Sequence, residues 1–165
     1  MLTCGCLDFA AVTDVLTEPV HTVWRAFFRM QRELDRVIEA QLAEHRLSHA
    51  DYTVLSVLAE DDSALRAGAV GDRIGWESSR LAHHLRRMEQ RGLVIRTICP
   101  SDRRGTMVAI TPSGRSAVEA ARPGHLEVLR RHLIDQMSPS EVSCFTELGQ
   151  RVASSVEAAM TPANG

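Results

Sequence analysis

Between Glu77 and Leu93 the chain reads ESSRLAHHLRRMEQRGL, a segment with two sides that cannot face the same medium. Leu81, Leu85 and Met88 fall at i, i+4 and i+7, which is one stripe of an α-helix. Ser79, Arg80, His83, His84, Arg86 and Arg87 take the other sides. The helix must therefore put one side in a core and offer the other to a polar partner. Gly92 ends it, because the residue past a helix C-terminus often needs positive φ. Charge sharpens the point. Residues 73 to 104 hold eight arginines against three carboxylates, about +5, in a chain whose formal net charge is -2. Such asymmetry marks a surface that meets an anion, and the acidic remainder keeps the chain soluble.

The flanks are equally patterned. From Pro19 to Leu47 the residues Val20, Val23, Trp24, Phe27, Phe28, Leu34, Val37, Ile38 and Leu42 recur at spacings of three and four, predicting a long amphipathic helix. Ser48, followed three residues later by Asp51, is a variant capping box that opens a shorter helix carrying Leu55 and Leu58. The stretch LRAGAVGDRIGW predicts a third helix presenting Val70 and Ile74, weakened by Gly68 and Gly71 at about 0.8–1 kcal/mol each relative to alanine. After the basic helix, LVIRTIC and TMVAIT are β-branched runs separated by PSDRRG, which predicts a hairpin with a charged tip at Arg103 and Arg104. Residues 113 to 136 return to helical spacing, with a break or kink expected at Pro123-Gly124. A final helix starts at a Ser138 cap and sets Val142, Phe145, Leu148, Val152 and Val156 on one side.

A content of 44% hydrophobic residues over 165 positions supports one domain with a real core, plus at most an oligomerisation element. No apolar run reaches the length of a membrane span and the N-terminus lacks a secretory pattern, so a cytoplasmic protein is expected. Cys4, Cys6, Cys99 and Cys144 form no CxxC pair, and Cys144, on an apolar helical face, reads as a small buried hydrophobe. No convergent set of acid, base and nucleophile is present, so no enzyme is expected. His83 and His84 are adjacent and point about 100° apart on a helix, which does not suit one metal ion. No cofactor or metal is expected.

Two short helices, a turn, a basic helix and a charged hairpin make a winged helix-turn-helix. The fold class expected is mainly α with a small β-hairpin: a winged helix-turn-helix domain plus a helical region formed by the N- and C-terminal helices. The arginines then suit DNA phosphates and base edges, and Ser78 and Ser79 at the helix start suit phosphate.

The chain resembles the MarR (multiple antibiotic resistance regulator) family of transcription factors from about Pro19 to Met160. The resemblance rests on RMEQRGLVIR, on SDRRGTMVAITPSG and on HLEVLRRHLIDQMSPSE, with IGWESSRLAHHLRRME looking like a subgroup. It implies a homodimer with a dimerisation helix at 19–47, a DNA-binding domain at 48–112 and C-terminal dimerisation helices at 113–160, while residues 1–18 read as a flexible N-terminus and 161–165 as a frayed tail. It implies a palindromic double-stranded operator, read by helix 77–91 in the major groove and by the wing 100–105 in the minor groove, most relatives being repressors. The implied contacts are Ser78, Ser79, Arg80, His83, His84, Arg86, Arg87, Arg103 and Arg104, with Asp102 holding an arginine by a salt bridge. A small aromatic effector is a further implication, with Trp24, Phe27, Phe28 and Trp76 as the pocket. A winged-helix module that contacts protein, or a thiol-based redox sensor, are the rival readings.

Overall fold

The structure is a computed structural model and describes residues 18–61, 63–99 and 102–160. The side chains of Glu18, Pro19, Arg103 and Arg104 lie outside that description. So do the expectations for the N-terminus, including Cys4 and Cys6, and for the tail at 161–165.

The elements follow in the order α1 (Glu18–Ala43), α2 (His49–Ala59), β1 (Leu65–Arg66), α3 (Ala67–Ile74), α4 (Ser78–Gln90), β2 (Val94–Cys99), β3 (Asp102–Ile110), α5 (Pro112–His132), a 3-10 turn (Ile134–Gln136) and α6 (Pro139–Met160). Two units divide the chain at Val37. In the first, α1 carries Val20, Val23, Trp24, Phe27 and Phe28 at 45–68% exposure. The rings of Trp24, Phe27 and Phe28 lie 4.5–6.1 Å apart between centroids, so they pack on one another along their own helix.

The second unit holds the core. Leu42, Val54, Leu55, Leu58, Val70, Leu85, Met88, Val94, Val108 and Val118 are all at most 1% exposed, one from nearly every element. Local signals set the elements that bring them together. Ser48 Oγ accepts from the Asp51 N–H at 3.0 Å while Asp51 Oδ2 accepts from the Ser48 N–H at 2.9 Å, a complete capping box at the start of α2. Gly92 has φ +72°, the left-handed value that the end of α4 requires. At the far end of α2, Arg115 from α5 donates to the Ala59 carbonyl at 3.2 Å, satisfying a last-turn acceptor.

The sheet has the order β1-β3-β2, all antiparallel. Val94 pairs with Ile110 and Ile98 with Thr106, and an irregularity between Ile98 and Cys99 carries the ladder to the pair Cys99 and Asp102. The sequence reading missed β1. Leu65 and Arg66, assigned there to the third helix, pair instead with Val108 and Met107. A two-residue strand is too short to show the alternation that identifies strands.

Two other expectations need correction. The break at Pro123-Gly124 does not occur, because α5 runs through Pro123 to His132. A helix proline removes one backbone hydrogen bond, and here the α5 turn before it is held by tertiary contacts: Val118 and Ala121 are fully buried, and Gln41 donates to the Ala121 carbonyl at 3.3 Å. Cys144 is exposed rather than buried, since none of α6 is buried within this chain.

Candidate nucleic-acid interface

The turn between α3 and α4 sets the angle of the basic helix. Gly75 caps α3 at φ +67°, and the Trp76 N–H donates to the Gly71 carbonyl at 3.0 Å. A Cβ at Gly71 would lie 3.1 Å from the Trp76 carbonyl oxygen and 3.4 Å from the Leu81 side chain. Gly71 therefore permits the close approach of α3 to α4, and is not merely a weak point in α3. Gly68 is different, because a Cβ there meets nothing within 4 Å. Gly68→Ala should raise stability by about 0.5–1 kcal/mol, read as a higher urea midpoint with an unchanged m-value.

With that turn in place, α4 buries Leu81, His84, Leu85 and Met88. Ser78, Ser79, Arg80, His83, Arg86 and Arg87 are exposed along the opposite side. Glu77 caps the helix without a side-chain bond, so the first-turn N–H groups of α4 have no acceptor from that side chain.

The arginines then sort into two groups. Arg73 is paired with Asp61 at 2.8 Å, Arg91 with Asp51 at 2.7 Å and Arg96 with Glu89 at 2.6 Å. These spend their N–H donors inside the protein. Arg80, Arg86 and Arg87 have no carboxylate partner among the described residues. The local excess of charge read from sequence is thus partly neutralised, and what survives is concentrated on the exposed side of α4.

Beneath that side lies a polar network that sequence reasoning did not find. Asp51 is 2% exposed; besides Ser48 it meets Arg91, and His84 Nε2 lies 3.1 Å from its Oδ1. The His84 contact is short in distance but outside linear hydrogen-bond geometry. Burial alone would push the Asp51 carboxyl up; contacts with His84, Ser48 and Arg91 outweigh it and hold the group well below the usual carboxylate range. Arg91 also donates to the Arg46 carbonyl, where the turn from α1 to α2 holds Arg46 at φ 57°. That left-handed conformation costs a non-glycine residue about 1 kcal/mol or more, and the bond from Arg91 offsets it.

His84 corrects an expectation. Grouped from sequence with the outward side chains, it is 6% exposed and turned toward Asp51, with Nδ1 accepting from Arg87 at 3.0 Å. Its ring also meets Trp76 edge-to-face, 5.4 Å between centroids. Trp76 in turn lies under Arg80, whose guanidinium carbon sits 4.2 Å from the ring centroid. Of the four aromatic residues taken from sequence as a pocket, Trp24, Phe27 and Phe28 meet one another on α1, and Trp76 meets His84 and Arg80.

At the wing, the backbone of Arg103 and Arg104 opens β3, and their side chains lie outside the described residues. Asp102 beside them is 3.6 Å from Arg66 Nη1, so an arginine of β1 pairs with this carboxylate. Arg66 had no sequence signal, because the strand that presents it had none.

The MarR family model matches residues 47–106, which run from the end of the α1–α2 turn to the middle of β3. Over those residues the chain is similar to the MarR family. Matches to whole regulators reach beyond them. MhqR of Bacillus subtilis, an HTH-type transcriptional regulator, is 28% identical over 138 residues, 83% of this chain and 93% of that protein. AbsC, a MarR family transcriptional regulator from Streptomyces coelicolor, superposes with TM-score 0.80 at 29% identity, covering 87% of this chain and 97% of its own. A second MarR family regulator from the same organism, solved in complex with DNA, superposes with TM-score 0.81 at 28% identity over 91% and 92%. The mainly helical fold with a small antiparallel sheet is that of these MarR structures, and the likeness extends well beyond residues 47–106.

Proposed function

We propose that the protein is a homodimeric DNA-binding transcription regulator that acts by occupying an operator rather than by catalysing a reaction. The observation that carries this is the sorting of the described arginines from Arg73 to Arg96: those free of carboxylates lie on the exposed side of the second helix of a helix-turn-helix, in a fold shared with a relative solved on DNA. Ser78 and Ser79 would donate to phosphate, Arg86 and Arg87 would neutralise phosphates, and Arg80, near the helix start, would reach a base edge. The wing arginines 103 and 104 would follow the adjacent minor groove, where a narrow A·T-rich tract favours arginine.

Two copies follow from apolar surface. On α1, Val23, Trp24 and Phe28 are 50–68% exposed, and on α6, Leu148, Val152 and Val156 are 48–56% exposed, two apolar helix faces that a second copy would cover. Selection of bound sequences from random duplex DNA tests the whole reading. A palindrome with half-sites one helical turn apart supports it, and recovery of no enriched sequence sinks it. Arg86→Ala should then weaken binding to all sequences alike and reduce the salt slope by about 1, whereas Arg80→Ala should cost roughly 1–3 kcal/mol at one base position only.

Repression, with release by a small aromatic effector, belongs to the same proposal. Trp24, Phe27 and Phe28 supply the exposed rings such a molecule would meet. Aromatic acids screened by thermal shift should include at least one that raises melting temperature and lowers operator affinity together; a flat response across the set removes the sensor from the reading.

A further inference from the structure

The proposed function leaves open how an exposed arginine, with many rotamers, is held to read one base. We infer that Trp76 is the positioning residue that sets the protein's sequence preference, acting through Arg80 without needing to touch DNA itself. This rests on the DNA-binding reading above and adds to it the residue that makes Arg80 selective.

The geometry distinguishes Arg80 from every other arginine described on or beside α4. Arg73, Arg91 and Arg96 are held by carboxylates, which consume the N–H edge of the guanidinium. Arg80 is held by its flat face, with its central carbon 4.2 Å from the Trp76 ring centroid. Stacking restrains the group while leaving the N–H edge unspent, and that edge is the one that bonds guanine O6 and N7 bidentately. An arginine restrained beforehand also loses less rotamer entropy when it binds.

Trp76 is itself well anchored. Its N–H is bonded to the Gly71 carbonyl at 3.0 Å, which fixes the backbone at the α3–α4 turn. Its ring meets the imidazole of His84 at 84° between planes. His84 is buried against Asp51, so the support runs from the base of α2 through the imidazole and the indole to the guanidinium. Arg86, with no such platform among the described residues, is left to phosphate contact.

The test is a double-mutant cycle read at fixed salt on two duplexes, the operator recovered by selection and an unrelated sequence of equal length. Wild type, Trp76→Leu, Trp76→Phe, Arg80→Ala and the two Trp76 variants combined with Arg80→Ala are compared. Trp76→Leu should weaken operator binding about five- to tenfold and unrelated DNA less than about twofold, while Trp76→Phe, which keeps an aromatic face, should stay within about threefold of wild type. In the Arg80→Ala background neither Trp76 substitution should reduce operator affinity further. Equal losses with and without Arg80, or equal losses on both duplexes, overturn the inference, because they show Trp76 acting on the fold at large. Melting temperatures accompany each Kd, and if Trp76→Leu does not fold, Trp76→Met, which keeps bulk without an aromatic face, takes its place in the cycle under the same criterion. Wild-type protein that binds neither duplex defeats the DNA-binding reading itself, an outcome distinct from a cycle that fails in a protein that binds.

Discussion

Gly114→Ala should destabilise the protein by about 3 kcal/mol or more, the largest effect expected of any glycine substitution in the described chain. Gly114 lies in the first turn of α5, where its N–H donates to Thr111 Oγ1 at 2.9 Å. A Cβ there would lie 2.1 Å from the Leu93 carbonyl oxygen and 3.0 Å from its carbon. Both obstructing atoms are backbone, so no rotamer change relieves the clash. The Leu93 carbonyl also accepts from the Thr111 N–H at 3.1 Å, and Thr111 Oγ1 donates to the Gly92 carbonyl at 2.7 Å. Moving Leu93 would therefore loosen the bonds that join the end of α4, the start of β2 and the start of α5. At roughly 2–4 °C per kcal/mol for a chain of this size, melting should fall by about 6–12 °C. Gly68→Ala makes the same chemical change where nothing opposes it, and should shift melting the other way. An unchanged melting temperature for Gly114→Ala would mean that α5 can slide off the β2 junction without cost.

Asp51→Asn should cost about 2–3 kcal/mol at neutral pH. The figure is below the 3–5 kcal/mol typical of breaking a fully buried pair, because Arg91 keeps 43% side-chain exposure and can turn toward water. The loss comes from withdrawing the charge that Arg91 and Ser48 are arranged to meet. The sign of the pH dependence follows from the depressed folded-state ionisation of Asp51. In the unfolded chain this carboxyl titrates near ~3.9, so its stabilising contribution is complete above that pH and is lost as pH falls through the range below it. The stability gap between wild type and Asp51→Asn should accordingly be constant above about pH 5 and close progressively in stronger acid. Urea unfolding from pH 7 to pH 3 measures this directly. A gap that persists unchanged into the acid range would show that the charge of Asp51 is not what stabilises the fold.

What could be read from sequence was the part written locally. The Ser48–Asp51 cap, the glycine after α4, the apolar stripe Leu81, Leu85 and Met88, and the β-branched hairpin each depend on residues within a few positions of one another. What could not be read depends on distant partners. His84 looks like a surface residue until Asp51, 33 positions earlier, is brought beside it. Gly114 looks like an ordinary turn residue until the Leu93 carbonyl arrives. Arg91 and Arg96 count as surface charge in a composition argument and are spent on Asp51 and Glu89 in the fold. Pro123 shows the opposite case, in which the break that a local rule allows is prevented where Val118 and Ala121 are packed into the core.

The short strand β1 has a mechanical consequence. It runs straight into α3 with no residue between, it is laddered to β3, and Arg66 reaches the carboxylate at the base of the hairpin tip. The laddered part of the hairpin is therefore one jaw of a caliper whose other jaw is α4, the two joined through α3. A duplex whose two grooves are spaced to those jaws would be gripped without adjustment, and one that is over- or underwound would have to deform to fit.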